Sequence, residues 1–194
     1  MTNATGFAGP PTVAALQEAG WRVMAHDPSF ADPAVWERFR AGRARIEAIR
    51  AREAEEIVAH AAAAGTLKAL VSNDHHPAPA FPPESAPIAE MRANYEKLVE
   101  FPFRLVRAAM EPLATNVPAN VVMITSNRVG LNRAKLPLAG RDFVRASVPV
   151  GRLGDLAEIG ELILFLATSR ARFLTGAVVD FSGGSPFGPP RPQA

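Results

Sequence analysis

The sequence predicts an α/β fold built on a mostly parallel sheet, and three observations carry that expectation. Short apolar runs rich in strand formers, at residues 21–26, 67–71, 121–124 and 177–181, recur along the chain with helical stretches between them. The run Val121-Val-Met-Ile124 shows no apolar–polar alternation, the pattern of a strand covered on both faces. The runs end in small polar residues: Asp27, then Ser72-Asn73-Asp74, Thr125-Ser126 and Ser182-Gly183-Gly184. Open α/β folds place their sites at that carboxyl edge.

The 194 residues suffice for one domain with a real core, expected over residues 1–184, with a Pro-rich loop at 77–87 and a Pro-rich tail at 185–194. No cysteine is present, so disulfides, thiol nucleophiles and cysteine-based metal sites are excluded. The 21 basic residues barely exceed the 19 acidic ones, which is no nucleic-acid footprint. The first residues have no signal-peptide plan, and no apolar run has the length of a membrane span. The expectation is a cytoplasmic protein with neither a nucleic-acid nor a membrane partner.

Residues 2–9, Thr-Asn-Ala-Thr-Gly6-Phe7-Ala-Gly9, lead into a helical run at 12–19 closed by Gly20. Glycines just before a helix let backbone approach a ligand or a neighbouring strand. The next run, 21–26, reads as a strand ending at Asp27, and two readings of this acid stand side by side. It accepts hydrogen bonds from a dinucleotide's ribose, or it caps the Asp-Pro-Ser turn that follows. Residues 36–64 read as a long helical region broken near Gly42, with Trp36, Phe39, Ile46, Ile49, Ile57 and Val58 as its apolar stripe. Its arginines alternate with Glu37, Glu47, Glu53, Glu55 and Glu56, as on a solvated face.

Residues 67–71 form the next strand, followed by Ser72-Asn73-Asp74-His75-His76. The two histidines have no partner at metal-ligand spacing, so they read as exposed or pocket-lining and no metal is expected. The loop 77–87, with Phe81, is long and apolar enough to cover a site. A helix over 88–113 carries the single tyrosine, Tyr95, and Pro102 should kink or divide it. The strand at 121–124 ends at Ser126. Residues 131–149 are basic and patternless, 156–168 form an amphipathic helix, and 177–181 form a last strand.

Ser126 followed by Gly130 at the end of a buried strand resembles the active-site region of the short-chain dehydrogenase/reductase superfamily. The stretch Val148-Pro-Val-Gly-Arg-Leu-Gly154, the helix after it, and Thr175-Gly-Ala-Val-Val-Asp-Phe-Ser-Gly-Gly184 are similar to that superfamily's C-terminal section. Cofactor-using members carry Gly-x-x-x-Gly-x-Gly at the first turn. Here Thr2, Phe7 and Gly9 give Thr-x-x-x-x-Phe-x-Gly, which resembles the halohydrin dehalogenase branch. Ser72-Asn73-Asp74 and Pro102-Phe103 are similar to that branch as well.

The resemblance implies a Rossmann-like, doubly wound sheet. It also implies conversion of a vicinal halohydrin to an epoxide plus halide, reversible with small anions, without nicotinamide. Ser126 would hold the substrate oxygen; Thr2, Phe7, Gly9, Asn73, Asp74, His75 and Phe81 would line the pocket; a homotetramer is the family habit. On the alternative resemblance, to an NAD- or NADP-dependent oxidoreductase, Gly6, Gly9 and Asp27 would bind the cofactor. A third reading is a non-catalytic fragment acting only through association.

The sequence departs from the family pattern in two places. The catalytic tyrosine and arginine belong on the helix after Ser126, where this chain offers Ala139 and Arg145 and no tyrosine. No apolar strand precedes Thr2. These departures predict an incomplete sheet whose central lane is a vacancy of unpaired backbone groups, a late start and an internal deletion after Ser126, and impaired activity.

Overall fold

The computed structural model describes residues 1–75, 83–125, 148–152 and 154–184. Ser126, Phe81, His76 and the basic stretch at 131–147 lie outside them. Helix α1 (Gly9–Glu18) begins earlier than its alanine run suggests, because Pro10 and Pro11 sit in its first turn, where a missing N–H costs nothing. Gly20 then takes φ 85° and turns the chain into β1 (Val23–His26).

The long helix expected over 36–64 is instead three elements. Helix α2 (Pro33–Arg40) is capped by Asp32, whose side chain accepts from the Ala34 N–H. Gly42, at φ 74°, lies beyond its end, and β2 (Ile46–Ile49) follows. Helix α3 (Ala54–Ala63) comes next. The apolar spacing of Ile46 and Ile49 suits either state; pairing decides it, with Val23 opposite Ile46 and His26 opposite Ile49 in parallel register.

Strand β3 (Ala69–Ser72) pairs in parallel with β4 (Asn120–Met123). Between them the expected 88–113 helix is divided rather than continuous. Helix α4 (Ile88–Tyr95) passes through a π-helical stretch, Glu96–Glu100, into α5 (Phe101–Ala114). Pro102 has no N–H to continue the α pattern, and the widened turn directly precedes it. Helix α6 (Leu156–Thr168) opens with a full capping box, Asp155 accepting from Ala157 and Glu158 accepting from the Asp155 N–H.

The helices cover two faces. Helices α1 and α6 enclose one core with Val13, Leu16, Val71, Val122 and Ile163; α3 and α5 enclose the other with Ile57, Val58, Leu70, Leu105 and Leu113. Leu70 and Val71 face opposite sides, as neighbours on a strand must. Gly160 lets α6 approach α1 closely, since a Cβ there would stand 2.7 Å from the Pro11 carbonyl oxygen. Asn120 fixes the end of α6 to β4 by donating to the carbonyls of Ala167 and Ser169, each at 3.0 Å.

Two expectations about the sheet need correction. The lane between β1 and β3 is not left with unpaired groups at its carboxyl end. Met1 O accepts from His26 N at 2.8 Å, Ala4 N donates to His26 O at 3.1 Å, and Thr2 N donates to Val71 O at 3.0 Å. Residues 1–4 therefore bond to both strand pairs, and they satisfy buried groups that would otherwise be costly. Residues 177–181, in contrast, form no strand. They have no ladder partner among the described residues, and Val178 is 97% exposed.

Candidate functional site

At the carboxyl edge the chain knots three segments together: residues 2–9, the end of β1, and the end of β3. Asn73 is 2% exposed and donates through Nδ2 to the carbonyls of Asn3 and Gly6, both at 2.9 Å. Asn3 returns a bond from its own Nδ2 to the Asn73 carbonyl at 2.8 Å. Asp74 Oδ2 accepts from Thr2 Oγ1 at 2.7 Å and from Ser72 Oγ at 2.6 Å. Gly9 is required by close approach, since a Cβ there would lie 2.3 Å from the Ala4 carbonyl oxygen.

Asp27 is the most fully engaged group. Its Oδ2 accepts from the Thr5 N–H and hydroxyl at 2.9 and 2.7 Å, and its Oδ1 from the Ser29 N–H and hydroxyl at 3.0 and 2.7 Å. Burial pushes its carboxyl up. The bonds from Ser29 and Thr5 outweigh that and hold its pKa below the ordinary range. Of the two readings, the capping one is met: Asp27 caps the 3₁₀ turn Pro28–Ala31.

The candidate pocket residues separate into two sets. Thr2, Gly9 and Asn73 are buried; Asp74 is half-buried; Phe7 and His75 are exposed. Phe7 takes φ 42° and is 58% exposed, so its ring projects from the turn rather than entering the core. Gly6 lies beneath it, with Asn3 within 2.9 Å of where a Cβ would be. Sequence reasoning missed His26, which is 6% exposed, with Nδ1 buried and unpartnered. Burial lowers its pKa. Asp74 opposes that shift, the Met1 amine adds to it, and Asp27 and a bond to Ala51 oppose it. Its place as the last residue of a strand, beside Asp27, was the signal that could have found it.

Among the described residues no three His, Asp or Glu side chains converge as metal ligands, and no helix is long and apolar enough to cross a membrane. An open concavity of about 680 Å³ lies at the opposite edge of β1 and β2, lined by Gln17, Glu18, Arg43 and Arg45 among others. Arg43 and Arg45 are already committed there to the carbonyls of Phe39 and Gly20.

No family model matches the chain. Curated relatives match over a short stretch. The (3R)-3-hydroxyacyl-CoA dehydrogenase of Mus musculus is 38% identical over 50 residues, 26% of this chain and 19% of that protein. The 3-oxoacyl-acyl-carrier-protein reductase of Pseudomonas aeruginosa is 42% identical over 50 residues, 26% of this chain and 20% of that protein. The matched stretch thus spans about a fifth of these relatives' length.

Solved structures match far more of the chain. Halohydrin dehalogenase HheC, bound to ethyl (2S)-oxiran-2-ylacetate, superposes with TM-score 0.81 at 23% identity over 91% of this chain and 92% of that one. A protein described as a dehalogenation enzyme gives 0.72 at 25% identity, covering 85% of this chain and 88% of that one. A Burkholderia thailandensis oxidoreductase of the short-chain dehydrogenase/reductase family gives 0.80 at 19% identity, covering 97% and 92%.

The fold is Rossmann-like α/β, and fold and sequence relatives together support the short-chain dehydrogenase/reductase superfamily.

Proposed function

We propose that this chain is a halohydrin dehalogenase-like member of that superfamily. In this reading its sheet edge receives a vicinal halohydrin, or the corresponding epoxide with a halide or other small anion, and uses no nicotinamide. The observation that carries the reading is Phe7, an exposed aromatic held at positive φ on the turn where a cofactor-using relative needs glycine. Closing an epoxide requires a base to take the hydroxyl proton while the oxygen attacks the neighbouring carbon and the halide leaves. Ser126 can hold that oxygen by hydrogen bonding, but a serine without its base moves no proton. The single tyrosine, Tyr95, is 60% exposed on α4, outside the knot of the sheet edge, so turnover is impaired.

A second reading, an NAD- or NADP-dependent oxidoreductase, is favoured by the names of the sequence relatives. The single-domain division at 184 and the cytoplasmic location belong to the proposal too. So does self-association: Ile88 and Met110, and Tyr95 and Phe103, are exposed and stand at equal separations on either side of Val99. An antiparallel pair of copies would therefore match this stripe to itself.

The deciding experiment titrates the chain with a chloropropanol and its epoxide, following tryptophan fluorescence, and measures halide release alongside. Saturable binding with halide release near the solution rate is expected. Absence of binding to both compounds sinks the reading, and saturable binding of NADH transfers the assignment to the oxidoreductase.

A further inference from the structure

In this fold class a dinucleotide or other phosphate ester is held by outward N–H groups in the first turn of the helix that follows the glycine-rich turn. From Gly9 to Thr12 each such group can be traced. Ala8, the N-cap of α1, is completely buried. The Gly9 N–H donates to the Gly6 carbonyl at 2.7 Å. Pro10 and Pro11 have no N–H to give. Thr12 N–H donates to the Ala8 carbonyl at 3.1 Å, and its hydroxyl goes to the same oxygen at 2.7 Å. The helix dipole remains, but a phosphate brought to this end would shed water and find no free N–H from residues 9–12 to replace it.

The second half of the cofactor cradle is closed by separate residues. A ribose needs a free carboxylate at the end of β1. Each oxygen of Asp27 already accepts two hydrogen bonds, which fills its acceptor sites, and the residue is 5% exposed. Asp74, at the end of β3, adds a second carboxylate, bonded to Thr2, whose like charge disfavours a phosphate at this edge. The residues present do not fit a nicotinamide dinucleotide.

We propose that Pro10 and Pro11 are specificity-determining residues that close this turn to phosphate esters, so the sheet edge takes unphosphorylated ligands only. The inference stands on the donors of the turn and goes beyond the dehalogenase reading. It does not depend on the dehalogenation chemistry itself, and it stands against the dinucleotide-dependent reading.

The test uses ADP, which carries the pyrophosphate and the adenosine ribose without the nicotinamide. The full chain and a Pro10→Ala/Pro11→Ala variant are titrated calorimetrically in phosphate-free buffer. The expected result is no saturable binding by the parent chain below about 5 mM, and at least roughly tenfold tighter binding by the variant, which regains two N–H groups. Saturable submillimolar binding by the parent chain overturns the proposal. A double variant that melts like the parent yet gains no affinity overturns it too. Should the double variant unfold, Pro11→Ala alone serves, with a smaller gain expected and no gain counting against the proposal. Failure of the halohydrin assay leaves this result untouched, and ADP binding by the parent chain would not by itself decide dehalogenation.

Discussion

Residues 1–9 and residues 177–181 stand in opposite relation to the two strand pairs. The first segment is poor in strand formers, yet its backbone bonds to β1 and β3 and its side chains lock onto Asp27, Asn73 and Asp74. The second, Ala-Val-Val-Asp-Phe, has strong strand propensity yet forms no strand, with Val178, Val179 and Phe181 exposed. Strand propensity is fitness for a pleated, half-buried surface, and it does nothing until a neighbouring strand supplies that surface. A lane between two strands, by contrast, recruits whatever backbone can reach it.

The comparison breaks most sharply at Gly9. Replacing it by Ala drives a Cβ to 2.3 Å from the Ala4 carbonyl oxygen, a backbone atom with no flexible end to yield. We expect Gly9→Ala to lower stability by about 3 kcal/mol, read from urea unfolding. A loss under about 0.5 kcal/mol would mean that the turn is not packed as described.

Protonation sharpens it next. The Met1 amine donates to the Met24 carbonyl, and burial lowers its pKa from 8.0 to about 6. His26 is lowered below 6.5 by burial, with Asp74 opposing the shift. Both groups bind fewer protons folded than unfolded. The stability they contribute is full above the unfolded values and is lost as pH falls through the folded ones. The melting temperature should therefore fall between about pH 8 and pH 5, and His26→Gln should flatten the part of the slope below the ordinary histidine value. Asp27 adds a later step, since its stabilisation is present above 3.8 and lost as pH falls through its lower folded value. A melting temperature flat across the whole range would contradict the burial of the Met1 amine and His26 and the hydrogen bonds to Asp27 at this junction.

Much of this was legible because the signals were local. The amphipathic run at 156–168 announces α6, and Asp27-Pro-Ser announces a capped turn. The unalternated runs give β1, β3 and β4 to within a few residues. What stayed hidden depended on partners. The stretch Ile46-Glu-Ala-Ile49 sits among charges at a spacing that also suits a helix, and only β1 makes it a strand. Residues 177–181 carry the sequence of a strand without the neighbour. Thr2 and Asn73 were expected in a pocket lining but are buried at 1% and 2% exposure, because their donors fasten the turn to β3. The prolines of α1 were passed over when the helix was expected to begin at residue 12; their consequence for phosphate appears only when the N–H groups of residues 9–12 are traced.

The smallest expected effect is at Val178, and it tests the other end of the comparison. A side chain 97% exposed has almost no apolar contact to lose, so Val178→Asp should change stability by less than about 0.5 kcal/mol. Its strand propensity is worth nothing here for the same reason: with no ladder partner among the described residues, there is no pleated neighbour against which the valine packs. A large loss in urea unfolding would mean that residues 177–181 pair with a strand in solution, from this chain or from a second copy. Measuring the variant at two protein concentrations separates those cases, since only pairing between copies makes the loss depend on concentration.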